Sequence, residues 1–196
     1  MVNRFVPTIT SEEVAQMPAA GFGGRIIVVS DERQLAEACE YLRQQPLLGF
    51  DTETRPSFKA GVINRVALLQ LSTVERCYLI RLCKVRFDKA VAKILENKNI
   101  IKVGADVAND LRALQALRRF RQDGFVDLQG VVAEWGVAEK SVRKMAAIVL
   151  GRRVSKAQRL SNWEAAELTP PQQMYAATDA WICVEIYNRL NLTDKK

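Results

Sequence analysis

The 196-residue chain contains no histidine. That one absence removes Ser-His-Asp triads, Cys-His pairs, imidazole acids and bases, and His-ligated zinc. Any catalysis must therefore rest on carboxylates, Tyr, Lys, Ser, Thr, Cys or bound metal ions. The four cysteines, Cys39, Cys77, Cys83 and Cys183, form no C-x-x-C pair. Without imidazoles to join them they argue against a structural zinc site and read as reduced core thiols of a cytoplasmic protein. No run approaches the roughly 20 apolar residues needed to cross a bilayer. The opening MVNRFVPTIT lacks the apolar centre of a secretory signal. A soluble protein with no membrane partner is expected. There is also no Pro/Gly/Ser-rich linker, no low-complexity tract and no internal repeat.

What is present is a chain 48% hydrophobic and 26% charged, with net charge +7. A single domain of this size buries roughly 70% of its unfolded surface, enough for a substantial core. The positive balance favours a polyanionic partner, although charge alone does not choose between nucleic acid, a phosphorylated substrate and an acidic surface.

Residues 1–24 read as an irregular, loosely attached arm ending in Gly21, Gly23 and Gly24. Residues 25–29 (RIIVV) predict a short strand, followed by a helix with Ser30 as N-cap and Asp31 and Glu32 in its first turn. Strands are expected at 47–52, 66–72 and 77–82 as an antiparallel meander. Next come a helix at 88–96, a strand at 100–103 and a helix at 108–120. The chain past Asp127 looks helical, interrupted around Gly136 and Gly151. Thr169-Pro170-Pro171-Gln172 combines a capping box with proline at the first helical position, and opens a final helix reaching about residue 190. The whole describes an α/β domain over residues 25–192, a central mixed sheet flanked by helices.

Three segments carry chemistry. In LGFDTET an apolar strand runs into Asp51 and Glu53, which at i, i+2 project to one face. Two acids on a buried face repel each other and lose hydration, a cost that a divalent cation between them removes; an exposed strand end is the plainer reading. In KVGADVANDLRAL, Asp110 shares a helix side with Val107, Leu111, Leu114 and Leu117, so it is aimed at the protein and needs a partner or a metal. Asp106, one turn earlier, is either a second such acid or a cap. In YAATD, Tyr175 and Asp179 stack at i, i+4; a core Tyr–Asp pair would look the same.

Taken in order, D-x-E, then D, then Y-x-x-x-D, the segments resemble the four-acidic-residue (DEDD) 3′–5′ exonucleases. The likeness is to the tyrosine-containing, RNase D-like branch that includes Werner-syndrome-type exonuclease domains. LGFDTET resembles the first motif, KVGADVANDLRAL the second and LSNWEAAELTPPQQMYAATDAW the third; together the likeness spans residues 25–190. The sister subclass carries histidine one residue before the tyrosine, where this chain has Met174.

The resemblance implies an RNase H-like exonuclease fold and two divalent cations, Mg²⁺ or Mn²⁺, held by Asp51, Glu53, Asp110 and Asp179. It implies Tyr175 orienting the attacking water and hydrolysis of phosphodiesters from a single-stranded 3′ end. The substrate is DNA or RNA, with DNA favoured by likeness to stand-alone Werner-type domains. Candidate nucleic-acid contacts are Thr52, Thr54, Phe58, Lys156, Arg159 and Trp163. Lys156 and Arg159 belong to an acid-free basic stretch over residues 143–159; Trp163 is either a base-stacking residue or a buried anchor.

Two rivals fit less well. A haloacid-dehalogenase-type phosphatase begins with D-x-D-x-T, but here the second acid is Glu53, and Tyr175 and Asp179 would have no role. A binding module without catalysis would not need the full set of acids.

Overall fold

A computed structural model of the chain describes residues 5–59, 61–62 and 64–193. Six strands form one sheet in the order β1-β4-β3-β2-β5-β6. They are β1 (Arg25–Val29), β2 (Leu47–Thr54), β3 (Val66–Ser72), β4 (Arg76–Ile80), β5 (Ile101–Gly104) and β6 (Phe125–Asp127). β3 alone runs against the rest: it pairs antiparallel with β2 and β4, while β1–β4, β2–β5 and β5–β6 are parallel. The meander expected from the sequence is therefore present, set inside a mixed sheet.

Side chains alternating along the strands divide the core in two. Leu48, Phe50, Leu69, Leu71, Tyr78 and Ile80 pack with α2 (Glu32–Leu42), α3 (Lys89–Leu95) and α4 (Val107–Leu117) on one face. On the other, Leu68, Cys77 and Leu79 pack beneath α7 (Pro170–Thr193). α5 (Leu128–Glu134) and α6 (Val142–Leu150) close the β6 end against α7. The Thr169–Gln172 capping box forms as expected: the Thr169 N–H donates to Gln172 Oε1 at 2.9 Å, and Thr169 Oγ1 accepts from the Gln172 N–H.

Two local expectations differ. The N-cap of α2 is Asp31, whose Oδ1 accepts from the Gln34 N–H at 2.8 Å, and Ser30 lies outside the helix. The arm is irregular as expected outside one short helix, but it is not loose over its described part; residues 1–4 lie outside the described residues. Thr10 and Glu13 form a capping box that starts α1 (Ser11–Gln16), and Val14 is buried against Ala147. Backbone bonds from Ala138 to Pro7, from Ala20 to Arg153 and from Arg153 to Pro18 tie the arm down. The six-residue helix is too short to show a period, so no sequence pattern announces it. Among the described residues no helix is long and apolar enough to cross a membrane.

Candidate metal centre

β2 delivers the first two acids. Gly49, Asp51 and Glu53 rise on the α7 face, and Gly49 sets how closely α7 can approach: a Cβ there would lie 1.9 Å from the Ala180 carbonyl oxygen. The helix thus crosses β2 almost in backbone contact and brings Asp179, the neighbour of Ala180, over the end of the strand. Asp51, Glu53 and Asp179 each offer a carboxylate oxygen within 4.8 Å of the others.

Asp110 approaches from α4, on the opposite face, and stands outside that trio. Thr52 points to its side of the sheet and donates Oγ1–H to Asp110 Oδ1 at 2.5 Å. Of the neighbouring carboxylates, Asp110 bears most strongly on Asp51. α4 begins just after Gly104, where a Cβ would sit 2.7 Å from the Phe50 carbonyl oxygen. Asp106 neither caps α4 through its side chain nor joins the cluster. It is exposed in the left-handed region at φ 58°, and its carboxylate accepts from the Asn109 amide. The start of α4 is held instead by Asp127, which accepts from the Val107 N–H at 3.0 Å through Oδ2 and from the Gln129 N–H at 2.9 Å through Oδ1. In the sequence Asp127 marks only the boundary of a helical region. A lone acid between a strand and a helix is the signal that would have identified a cap.

Burial raises every one of these acids, and crowding adds to it for Asp51, Glu53 and Asp110. Asp51 is held well above the carboxylate range by desolvation, then by Asp110, Asp179 and Glu53. Desolvation and then Asp179 and Asp110 push Glu53 up to about 9, with Arg159 pulling the other way. Loss of hydration also lifts Asp110, against a hydrogen bond from Thr52. Asp179 is lifted likewise, against a hydrogen bond from Tyr175. The Tyr175 phenol lies above its ordinary value through burial and the charges of Asp179 and Glu53, so it keeps its proton at neutral pH.

The other candidate contacts separate. Arg159 is exposed and near enough to stabilise the Glu53 carboxylate. Lys156 is exposed on the same loop, whereas Lys144 of the basic stretch is occupied by Glu139 at 2.7 Å. Phe58 is 86% exposed, and Thr54 is half-buried opposite Val66, just past an irregularity in the strand. Of the two readings of Trp163, the structure rules out base stacking: the residue is fully buried, with its ring 6.0 Å from that of Tyr175. The loop around it is fastened by Arg81, a buried cation whose guanidinium donates to the Ala165 and Ala166 carbonyls. Arg81 went unnoticed in the sequence, where its sign was a cation closing the apolar run RCYLI.

A mixed sheet whose central strand ends in a half-buried, oxygen-only carboxylate cluster defines an α/β protein with acids that could hold a hard divalent cation. The chain belongs to the 3′–5′ exonuclease family, whose model matches residues 26–193, and within it to the DEDD group that the acids mark. Mouse bifunctional 3′–5′ exonuclease/ATP-dependent helicase WRN is 34% identical over 195 residues, covering 91% of this chain and 14% of that protein. The fold is that of the RNase H-like exonuclease domains. The EXO domain of Aedes aegypti Nibbler superposes with a TM-score of 0.81 at 22% identity, over 91% of this chain and 94% of that one. Escherichia coli RNase D, an exoribonuclease involved in structured RNA processing, gives 0.78 at 23% identity, over 87% of this chain and 45% of that one.

Proposed function

We propose that the chain is a metal-dependent 3′–5′ exonuclease that releases nucleoside monophosphates from a single-stranded 3′ end, DNA in preference to RNA. The observation that carries this reading is the convergence of Asp51, Glu53 and Asp179 within 4.8 Å, beside Tyr175, in a chain of the 3′–5′ exonuclease family. We assign residues 25–192 to the catalytic domain and 1–24 to an N-terminal arm, in a cytoplasmic protein whose four cysteines are unpaired.

The residues suit divalent cations. Every donor is a carboxylate oxygen, and each acid carries a raised affinity for its proton that a cation would replace. Asp51, Glu53 and Asp179 would hold one Mg²⁺ or Mn²⁺, and Asp110 would serve a second together with Asp51, on which it bears more than the other carboxylates do. Bound there, the pair would lower the pKa of water and offset charge on the leaving 3′ oxygen. The chain's own groups do the rest. Tyr175, neutral and braced by Trp163, orients the water as a hydrogen-bond partner without acting as base. Arg159 and Lys156 draw the backbone phosphates toward the cluster, and Thr52 fixes the Asp110 carboxylate. The preference for DNA follows the likeness to Werner-type domains.

The test is degradation of 3′- and 5′-labelled single-stranded DNA and RNA with Mg²⁺, Mn²⁺ or EDTA, for wild type and Asp51→Ala. Metal-dependent shortening from the 3′ end, abolished by the substitution, supports the reading, and the DNA:RNA rate ratio names the substrate. A wild type that binds both polymers and cuts neither overturns it.

A further inference from the structure

Gln70 interrupts an apolar strand. In the VALLQLS of β3 it is wholly buried, and among the described residues neither its amide nitrogen nor its amide oxygen has a hydrogen-bond partner. A wholly buried primary amide with no protein partner at either end is a standing cost that a leucine there would not carry. Such a residue needs a reason to be polar.

The register supplies one. Gln70 lies directly opposite Asp51 in the antiparallel β2–β3 pair. Paired residues rise from the same face with Cβ atoms about 4.5–5.5 Å apart. Its opposite neighbour on β4 is Leu79, and the same-face residues along β3 are Leu68 and Ser72. The Ser72 hydroxyl already donates to the Thr73 carbonyl at 2.8 Å. Diagonally placed are Glu53, itself opposite Leu68, and Cys77, opposite Ser72. Above them α7 brings Ala176 and Ala177. The strong acceptor directly facing the amide is therefore the Asp51 carboxylate.

We propose that Gln70 is a positioning residue for Asp51: its amide N–H donates to the Asp51 oxygen turned away from the cluster, which fixes the rotamer that aims the other oxygen at Glu53 and Asp179. The inference rests on the reading of that trio as a cation site. Glutamine suits the task where glutamate would not, because it reaches the carboxylate without adding a further negative charge to a crowded site. The two groups face each other unbonded here, and the bond forms as Asp51 turns to hold a cation.

The experiment titrates Mn²⁺ calorimetrically into the metal-free full chain as wild type, Gln70→Met, Gln70→Leu and Asp51→Asn, with melting curves in EDTA. The glutamine variants are expected to melt at or above the wild-type temperature, to bind Mn²⁺ about 10-fold more weakly, and to lose kcat while KM for DNA holds. In the wild type, the Gln70 side-chain amide proton resonance is expected to move downfield as Mg²⁺ is added. Wild-type Mn²⁺ affinity in the glutamine variants, with Asp51→Asn failing to bind, or an amide resonance that Mg²⁺ leaves in place, overturns the role of Gln70 alone. Wild-type Mn²⁺ affinity in Asp51→Asn overturns the cation site and the inference together.

Discussion

At the scale of single residues, the four acids and Tyr175 stood out as candidates because periods of i, i+2 on a strand and i, i+4 on a helix group them, and the resemblance joined them into one set. Their energetics yield two predictions. Asp51→Asn removes a carboxyl whose charged form is disfavoured by desolvation and by its acidic neighbours. The variant is expected to lose at least about 10³-fold in rate, roughly 4 kcal/mol of barrier. In EDTA it is expected to melt about 2–4 °C above wild type, near 1 kcal/mol of stability for a chain of this length, as differential scanning calorimetry would show. Tyr175→Phe keeps the packing against Trp163 and removes only the hydroxyl. About a 10²-fold fall in kcat with little change in KM is expected from single-turnover and steady-state assays. An unchanged kcat would remove the phenol from the mechanism. Gln70 and Arg81 were not legible in the same way, since a polar residue in an apolar run declares its burial without naming its neighbour.

At the scale of elements, the site depends on how near α7 can come to β2. Gly49→Ala places a methyl against the Ala180 backbone carbonyl, which has no rotamer by which to yield. The expected cost is about 3 kcal/mol, the upper end for overpacking, with activity falling further than stability because Asp179 is displaced from Asp51. Urea denaturation beside exonuclease assays checks this; a fully active Gly49→Ala would mean that the helix tolerates the shift. The strands were readable from their apolar runs, and α7 from its capping box. α1 and β6, at six and three residues, fall below the length at which periodicity carries information.

At the scale of the whole molecule, charge and pH act together. Glu53 holds its proton more tightly in the folded chain, where it titrates at about 9 instead of 4.5. Between those values the native state binds more protons than the unfolded chain, so metal-free stability falls as pH rises through that window. The melting temperature in EDTA is expected to decline from pH 5 toward pH 9, and saturating Mg²⁺ to flatten the decline. A metal-free protein that grows more stable over that range would contradict the crowding of the acids. The net charge of +7 predicts DNA binding that weakens with salt. Replacing Lys156 and Arg159 together by Ala is expected to reduce the slope of log K against log salt by about 1.4, at roughly 0.7 per phosphate contact on a single strand. Fluorescence anisotropy in EDTA would measure it.

By itself the sequence determined which residues are candidates for chemistry, which mechanisms are closed to a chain without histidine, and the mixed α/β class. Those properties are local, written in composition and in periods of 2 and 3.6 residues. Only the tertiary structure decided that Asp51, Glu53 and Asp179 meet while Asp110 waits across the sheet on Thr52, and that Asp127 performs the capping once open to Asp106. It alone placed Trp163 inside, with Gln70 opposite Asp51. Those facts depend on strand register and on the approach of α7 to Gly49, contacts between residues far apart in the chain that no local pattern encodes.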